Sequence, residues 1–190
     1  MSLALRSFKS ISSNLGAKVL SGLVQFVAFI FLARWVSIET FGVYTFALAI
    51  IALSVSFVEF GISGAFLYFS AENNVNKNEA AAVHFTFRVT LLFIWTILAV
   101  VGTFLFAEEK LQVFLYALIP ITILSQLSTT HHAVLLQRVT TERSAILQVI
   151  ASLVMLPFSL FFAFQGFSIL ALLTINATKA VVDFLGLFFF

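Results

Sequence analysis

The chain has 190 residues, of which 62% are hydrophobic and 9% are charged, and it carries a formal net charge of +2 and no cysteine. Soluble domains are about 25% charged, so this composition leaves too few polar side chains to cover a core in water and predicts a membrane protein. It also excludes disulfides and thiolate metal sites, and the 10 lysines and arginines are too scattered to form a nucleic-acid-binding surface.

Six apolar segments are long enough to cross a bilayer, which takes about 20 helical residues. They lie near residues 15–34, 41–69, 81–107, 111–137, 143–165 and 167–190. No strand-like alternation is present, so we predict an all-α integral membrane protein whose single domain is a six-transmembrane-helix bundle. Pro120 and Pro157 should kink the fourth and fifth helices.

The N-terminal segment imitates a secretory signal peptide, because Arg6, Lys9 and Lys18 precede an apolar stretch. No small-x-small cleavage site follows, so we expect a retained first span. Ahead of this span, the helical spacing of apolar residues in 5–15 predicts a separate short helix at the membrane surface.

Capping residues mark two helix starts. In the polar segment AENNVNKNEA, Asn78 is a candidate N-cap of the third span, with Glu79 in its first turn. Thr140 or Thr141 precedes Glu142 and gives the fifth span a similar start.

The distribution of lysine and arginine predicts a cytoplasmic N-terminus. With that orientation the outer links hold only Arg34 and Lys110, and Lys179 lies within the sixth span. The inner segments hold the remaining basic residues, which are Arg6, Lys9, Lys18, Lys77, Arg88, Arg138 and Arg143.

Glu59 is the one charged residue between Phe41 and Phe69. A charge at the bilayer centre costs about 2.5–3.5 kcal/mol, so this side chain must face other helices or water. Gly61 and Gly64 follow and permit close packing or a local helix break. Two interpretations remain open, which are a proton or ligand site in a cavity and a carboxylate that ties helices together beside a glycine-made bend.

The sixth span carries Asn176, Lys179, Asp183 and Gly186 at spacings that place them on one helix face. Lys179 lies about 18 Å from the outer end of its helix, near the middle of the membrane. We predict that this stripe faces a wet cavity in which Lys179 and Asp183 form a loose pair. The alternative is a static salt bridge packed between helices.

Other spans repeat the pattern, mostly toward their cytoplasmic halves. The polar stripes are Asn14, Lys18, Ser21 and Gln25 on the first span, His84 and Arg88 on the third, Ser125, Thr129 and His132 on the fourth, and Gln148, Ser152 and Ser159 on the fifth. Lys18 and Arg88, together with Arg138 and Arg143, would form a basic mouth suited to a phosphate or diphosphate headgroup. Alternatively, the hydroxyls only join helices, and Arg138 and Arg143 only follow the orientation rule.

Enzyme signatures are missing. The chain has no HExxH motif, no Walker-type glycine loop and no GxSxG motif, and the adjacent His131 and His132 have no third metal ligand nearby. We therefore predict a protein that is not an enzyme, with no catalytic residue, no metal site and no cofactor.

Two stretches carry a family resemblance. In LARWVSIETFGVYTFALAIIALSVSFVEFGISGAF, an Ala-Arg pair ends the first span, a link with an acid and Phe-Gly-x-Tyr follows, and an acid precedes a glycine near the end of the second span (Ala33, Arg34, Glu39, Phe41, Gly42, Tyr44, Glu59 and Gly61). The second stretch, VLLQRVTTERSAILQV, carries a Leu-Gln-Arg link. In order and spacing these elements resemble the N-terminal half of the bacterial polysaccharide-export and O-antigen flippase family, within the multidrug/oligosaccharidyl-lipid/polysaccharide exporter superfamily.

The resemblance implies one lobe of a two-lobed transporter that works by ion-coupled alternating access. Its cargo would be an undecaprenyl-diphosphate-linked oligosaccharide, such as an O-antigen, capsule or exopolysaccharide unit, moved across the bacterial cytoplasmic (inner) membrane. The other partners would be membrane lipids, a second lobe or second chain, and polysaccharide polymerase machinery. The family often has aspartate at the position of Glu59, and it has a second lobe, so we expect this chain to be a fragment or to pair with another chain.

We expect the cavity to be lined by Lys18, Gln25, Arg88, Asn176, Lys179 and Asp183, and ion coupling to involve Glu59 or Asp183. Arg34 and Glu39 are assigned to the outer link, where a structural role is expected. The alternatives are a cation-coupled drug exporter of the same superfamily and a non-transporting scaffold subunit of a glycan-assembly complex.

Accessibility of the sixth span separates a transporter from a scaffold. We expect Lys179→Cys, introduced into this cysteine-free chain, to react with a membrane-impermeant thiol reagent, because a wet cavity exposes it to water. Lys110→Cys in the outer link serves as the positive control. If Lys179→Cys stays unlabelled in every state while Lys110→Cys reacts, the scaffold is favoured.

Overall fold

The computed structural model describes residues 3–70, 76–137 and 142–189, and every regular element in these ranges is helical. Seven helices follow one another within these ranges. They are α1 (Leu3–Trp35), α2 (Ile38–Glu59), α3 (Ile62–Ser70), α4 (Lys77–Phe106), α5 (Glu109–Gln137), α6 (Glu142–Phe164) and α7 (Ser168–Phe189).

Six segments of the described chain are long and apolar enough to cross a membrane, with α2 and α3 together forming one of them. Their bounds are Asn14–Trp35, Ile38–Ser70, Asn78–Phe106, Glu109–Thr130, Ile146–Phe164 and Ser168–Gly186. The predicted six-helix membrane bundle is therefore confirmed, and the chain is a multi-pass membrane protein.

The helices pack in two groups that share one core. Helix α1 packs on α6, and α6 packs on α7, whereas α2 and α3 pack on α4 and α5; contacts between α5 and α7 join the two groups. The fully buried side chains of the core include Leu32, Tyr44, Leu118, Leu172 and Ile175. The two groups come together because these apolar side chains interdigitate at native packing density.

The outer surface of the bundle is apolar. Large side chains such as Phe46, Phe93, Phe104 and Phe161 are each more than half exposed. In water such a surface would drive association, but in a bilayer it meets hydrocarbon of the same polarity.

The second span is broken immediately after Glu59. Helix α2 ends there, Phe60 has φ 19° and ψ 44°, Gly61 has φ 77°, and α3 begins at Ile62. Glycine adopts positive φ without the Cβ clash that other residues suffer. The glycine-made bend that the sequence allowed is thus present, at Gly61 rather than at Gly64, which lies inside α3.

Of the two predicted helix starts, one needs correction and the other lies outside the described residues. The N-cap of α4 is Asn76, whose side chain accepts a hydrogen bond from the backbone N–H of Asn78 at 3.1 Å, so the prediction of Asn78 as N-cap was wrong by two residues. The side-chain oxygen of an N-cap residue accepts a hydrogen bond from the backbone N–H two or three residues later. Asn76 makes this bond here. Thr140 and Thr141 lie outside the described residues.

Two further expectations concern helix continuity. The segment ahead of the first span is helical, as predicted, but it continues without interruption into that span as one helix, α1. Helices α5 and α6 continue through Pro120 and Pro157.

The break at Gly61 yields a stability prediction. Gly61→Ala should lower the free energy of unfolding by about 1–2 kcal/mol, because a Cβ opposes the left-handed conformation. Gly64→Ala should be neutral or stabilise by about 0.5–1 kcal/mol, since it lies within a helix and its Cβ would meet nothing within 4 Å. Denaturation of both purified variants in detergent measures the difference; equal stabilities would contradict the left-handed break.

Candidate functional site

A buried arginine joins three segments of the bundle. The Arg88 side chain, on α4, is 2% exposed. Its Nη1 donates a hydrogen bond to Ser63 Oγ at 2.7 Å, and its Nη2 donates to Gln126 Oε1 at 2.5 Å and to Glu59 Oε1 at 3.3 Å. We call Arg88, Glu59, Ser63 and Gln126 the Arg88 cluster.

The broken span explains how the cluster forms. Glu59 is the last residue of α2 and Ser63 lies in the first turn of α3, so the break presents both side chains at one level. Helix α4 runs antiparallel to this span and brings Arg88 beside them, while α5 supplies Gln126. A planar guanidinium with five N–H donors suits such a multi-sided environment.

The two charged members of the cluster differ in exposure. The Arg88 side chain is 2% exposed, whereas the Glu59 side chain is 48% exposed. A buried arginine without partners would cost several kcal/mol, so Arg88 requires its neighbours. The Glu59 side chain is partly exposed, so it can separate from Arg88 without becoming a buried, unpaired charge.

His84 extends the cluster by one turn of α4. It is 4% exposed, and its ring stacks on Phe66 of α3 with centroids 4.4 Å apart and planes at 16°. Neither ring nitrogen has a hydrogen-bond partner among the described residues. An unsatisfied buried polar group costs about 1–3 kcal/mol. The imidazole of His84 is therefore an unpaired polar group one turn from Arg88.

Sequence reasoning placed His84 and Arg88 one turn apart but missed Ser63, Gln126 and Phe66. Nothing in the sequence distinguishes Ser63 and Gln126 from other polar residues of the spans. Glu59 and Arg88 did carry a signal, because they lie about 15 Å and about 12 Å from the inner ends of consecutive spans. Similar depth on neighbouring antiparallel helices favours a contact.

The predicted stripe on α7 is divided among different neighbours. Asn176 Nδ2 donates to the buried Tyr44 hydroxyl at 2.9 Å, and a Cβ on Gly186 would lie 2.3 Å from Leu147 Cδ1 on α6. Both positions therefore belong to close helix–helix contacts.

The two charged residues of that stripe stand apart from these contacts. Lys179 is exposed and Asp183 is half-buried. Among the described residues the ion pairs within 4 Å are Arg88–Glu59 and Lys110–Glu39, so the predicted Lys179–Asp183 pair is not closed. No hydrogen bond in these ranges connects either residue to the Arg88 cluster.

The stripe on α1 is also partly used in packing. Ser21 Oγ donates to the Gln148 carbonyl of α6 at 3.2 Å, Lys18 is exposed and Gln25 is half-buried. Arg138 lies outside the described residues, as does the side chain of Arg143. The basic cytoplasmic mouth therefore stays a prediction.

Most hydroxyls on the remaining stripes bond within their own helix. Thr129 Oγ1 donates to the Ser125 carbonyl, Ser152 Oγ to the Gln148 carbonyl and Ser159 Oγ to the Leu156 carbonyl. Such bonds satisfy a polar side chain in an apolar medium without any partner helix. The side chains of His131 and His132 lie outside the description, and in the described part of the chain no three His, Asp or Glu residues group as metal ligands.

The outer link holds the second ion pair. Lys110 Nζ at the start of α5 donates to Glu39 Oε1 in the first turn of α2, and both side chains are largely exposed. Arg34 is exposed in the last turn of α1. An exposed pair contributes little to stability.

Comparison with known proteins gives one match. A family model described as polysaccharide biosynthesis protein matches residues 7–190. No curated protein and no solved structure matches the chain.

The contacts of Arg88 predict unequal effects of two serine substitutions. Ser63→Ala removes an acceptor from a buried cation and should lower the free energy of unfolding by about 1–2 kcal/mol. Ser56→Ala is the matched control, because its Oγ donates to the Ala52 carbonyl of its own helix, and it should change stability by less than about 0.5 kcal/mol. Indistinguishable denaturation curves for the two variants would contradict the assigned role of Ser63.

Proposed function

The chain belongs to the polysaccharide biosynthesis protein family, and from that premise we propose that it is a flippase for a lipid-linked oligosaccharide. The cargo is an undecaprenyl-diphosphate-linked O-antigen, capsule or exopolysaccharide unit. It moves from the inner to the outer leaflet of the bacterial cytoplasmic membrane, in which the N-terminus of the chain is cytoplasmic. The protein is a transporter and catalyses no reaction.

The observation that supports this proposal is the Arg88 cluster at the break of the second span. Arginine is always charged and matches the oxygen geometry of a phosphate or diphosphate. Ionisable groups kept within membrane spans mark ion or substrate pathways by default, since their burial is costly. Discontinuous helices are a common way in which transporters build such sites near the middle of the membrane.

Exchange of partners at Arg88 couples the cargo to an ion. Without cargo, Glu59 neutralises Arg88. An anionic headgroup replaces Glu59 as the partner of Arg88, and Glu59, whose side chain is 48% exposed, is the first candidate for ion coupling. Because Glu59 and Ser63 lie on opposite sides of Gly61, this exchange changes the contacts on both sides of the break.

The other predicted residues serve the same pathway. Lys179, exposed at mid-span, and Lys18, exposed on α1, attract the anionic headgroup, and Gln25 and Asn176 supply amide hydrogen bonds to the cargo. Asn176 must exchange its Tyr44 hydroxyl for cargo in order to do so. Asp183 is the second candidate for ion coupling.

Alternating access requires a second lobe or a second chain against which this bundle moves. Membrane lipids surround it, and polysaccharide polymerase machinery receives the product. A cation-coupled drug exporter and a glycan-assembly scaffold are the rival functions, and no contact in the described chain favours either of them.

Charge exchange at the cluster tests the proposal. Arg88→Gln should reduce surface polysaccharide in a complemented deletion strain at least tenfold. The double variant Arg88→Glu with Glu59→Arg restores an ion pair but removes the cation from its position, so the protein should reach the membrane normally and still fail to export. Glu39→Gln in the outer pair is the control and should leave export unchanged.

Two results would contradict the assignment. Normal export by the charge-exchanged protein would mean that the pair is only structural. Normal export by Arg88→Gln at normal membrane abundance would remove Arg88 from the pathway. Immunoblots of membrane fractions provide the abundance for both.

A further inference from the structure

A long apolar groove runs along the lipid-facing side of the bundle between α2 and α4, and α5 closes its outer end. Its volume is about 670 Å³, which lies within the range of about 300–1,000 Å³ that holds one small ligand. Its walls include Phe46, Phe57, Trp95, Leu98, Gly102 and Phe106.

The groove has exposed rims and a fixed floor. Phe57 and Leu98 on the two rims are 72% and 66% exposed, whereas Ile51 and Trp95 on the floor are 8% and 6% exposed. Trp95 Nε1 donates to Ser54 Oγ at 3.1 Å, and this bond ties α4 to α2 beneath the groove. Since these two polar groups satisfy each other, the floor suits an apolar occupant.

Small residues keep the groove open. A Cβ on Gly102 would meet nothing within 4 Å, and Ala99 lies one turn before it on the same wall. The space is therefore not filled by any side chain of the described structure.

The inner end of the groove lies close along α2 and α4 to the Arg88 cluster. Val58 and Leu91 line this end; Val58 directly precedes Glu59, and Leu91 follows Arg88 by three residues. From Leu91 to Phe106 the groove runs about 22 Å along α4 at 1.5 Å per residue. The groove and the cluster are therefore neighbours on α2 and α4, although no member of the cluster lines the groove.

A whole helix cannot lie inside the groove. A helix is about 10–12 Å wide, so a 22 Å length occupies roughly 1,700–2,500 Å³. The groove has less than half of that volume. An extended hydrocarbon chain is thin enough to lie in it, and the surrounding bilayer supplies no competing water.

We propose that this groove holds part of the isoprenoid tail of the lipid-linked cargo. The inference rests on the proposed function and adds where the tail lies during transport. The anionic headgroup then meets the Arg88 cluster, while the tail stays in the groove along α2 and α4. Tail binding and headgroup binding are separate contacts, so each is disrupted by its own substitutions.

Photo-crosslinking of the purified full chain in lipid nanodiscs tests the proposal. The probe is a polyprenyl phosphate that carries a diazirine in its tail, and mass spectrometry maps the labelled peptides. Labels should fall on the groove walls of α2 and α4. Gly102→Ala, Gly102→Leu and Gly102→Phe should reduce labelling progressively, to one fifth or less for phenylalanine, because larger side chains fill the groove.

Val100 provides the matched control. It is 41% exposed and lies nearly opposite Gly102 on α4, where it does not line the groove. Val100→Leu and Val100→Phe should leave labelling unchanged. Thermal unfolding of each variant shows whether it is folded. If a phenylalanine variant does not fold, Gly102→Leu and Val100→Leu are compared instead.

Three outcomes would overturn the inference. The first is equal labelling of the Gly102 and Val100 series. The second is efficient labelling of the groove by a diazirine phospholipid that excess polyprenyl phosphate does not displace, which would make the occupant a bilayer lipid. The third is disulfide-linked dimer formation by Leu98→Cys, which would make it a second copy of the chain.

The assay measures binding without transport, so the two proposals fail separately. Loss of groove labelling with export still dependent on Arg88 removes only the tail site. If labelling of the groove falls progressively across the Gly102 variants but export does not depend on Arg88, the tail site is retained. The role of the cluster in binding the headgroup is then removed.

Discussion

The hydrogen bonds of one buried guanidinium constrain the inner half of this bundle. Arg88 is held by side chains from the end of α2, the start of α3 and the middle of α5. In an apolar medium a cation cannot lose these partners without replacing them. Any movement of α3 or α5 relative to α4 must therefore exchange a ligand of Arg88, so the positions of these helices depend on the groups that surround one charged side chain.

The bilayer also explains how the other polar groups are arranged. Hydroxyls bond to carbonyls of their own helix, as Ser159 does, or to a neighbouring helix, as Ser21 does. Tyr44 and Asn176 satisfy each other in the core. A polar stripe on a membrane helix therefore does not by itself indicate a cavity, because hydrogen bonds between packed helices use the same residue types at the same spacing.

The break at Gly61 connects the two features that we assign to cargo. On its α2 side, Phe57 and Val58 end the apolar groove and Glu59 begins the charged cluster; on its α3 side, Ser63 completes that cluster. Within seven residues the chain passes from a surface for hydrocarbon to one for an anion. An amphiphilic lipid requires both surfaces in this order.

The sequence alone determined the membrane class and the six spans, because hydropathy and span length are properties of short segments. It allowed a helix break at Gly61 or Gly64, and the structure places the break at Gly61. It also carried the family resemblance. The partners of the charged residues were decided by the tertiary structure. Helical spacing places Asn176, Lys179 and Gly186 on one face, but packing of α7 against α2 and α6 gives Asn176 and Gly186 different neighbours and leaves Lys179 exposed. Likewise, Glu59 and Arg88 lie at similar depth in consecutive spans, but their pairing was not predicted, because the rotation of α4 that points Arg88 at Glu59, Ser63 and Gln126 depends on contacts between spans.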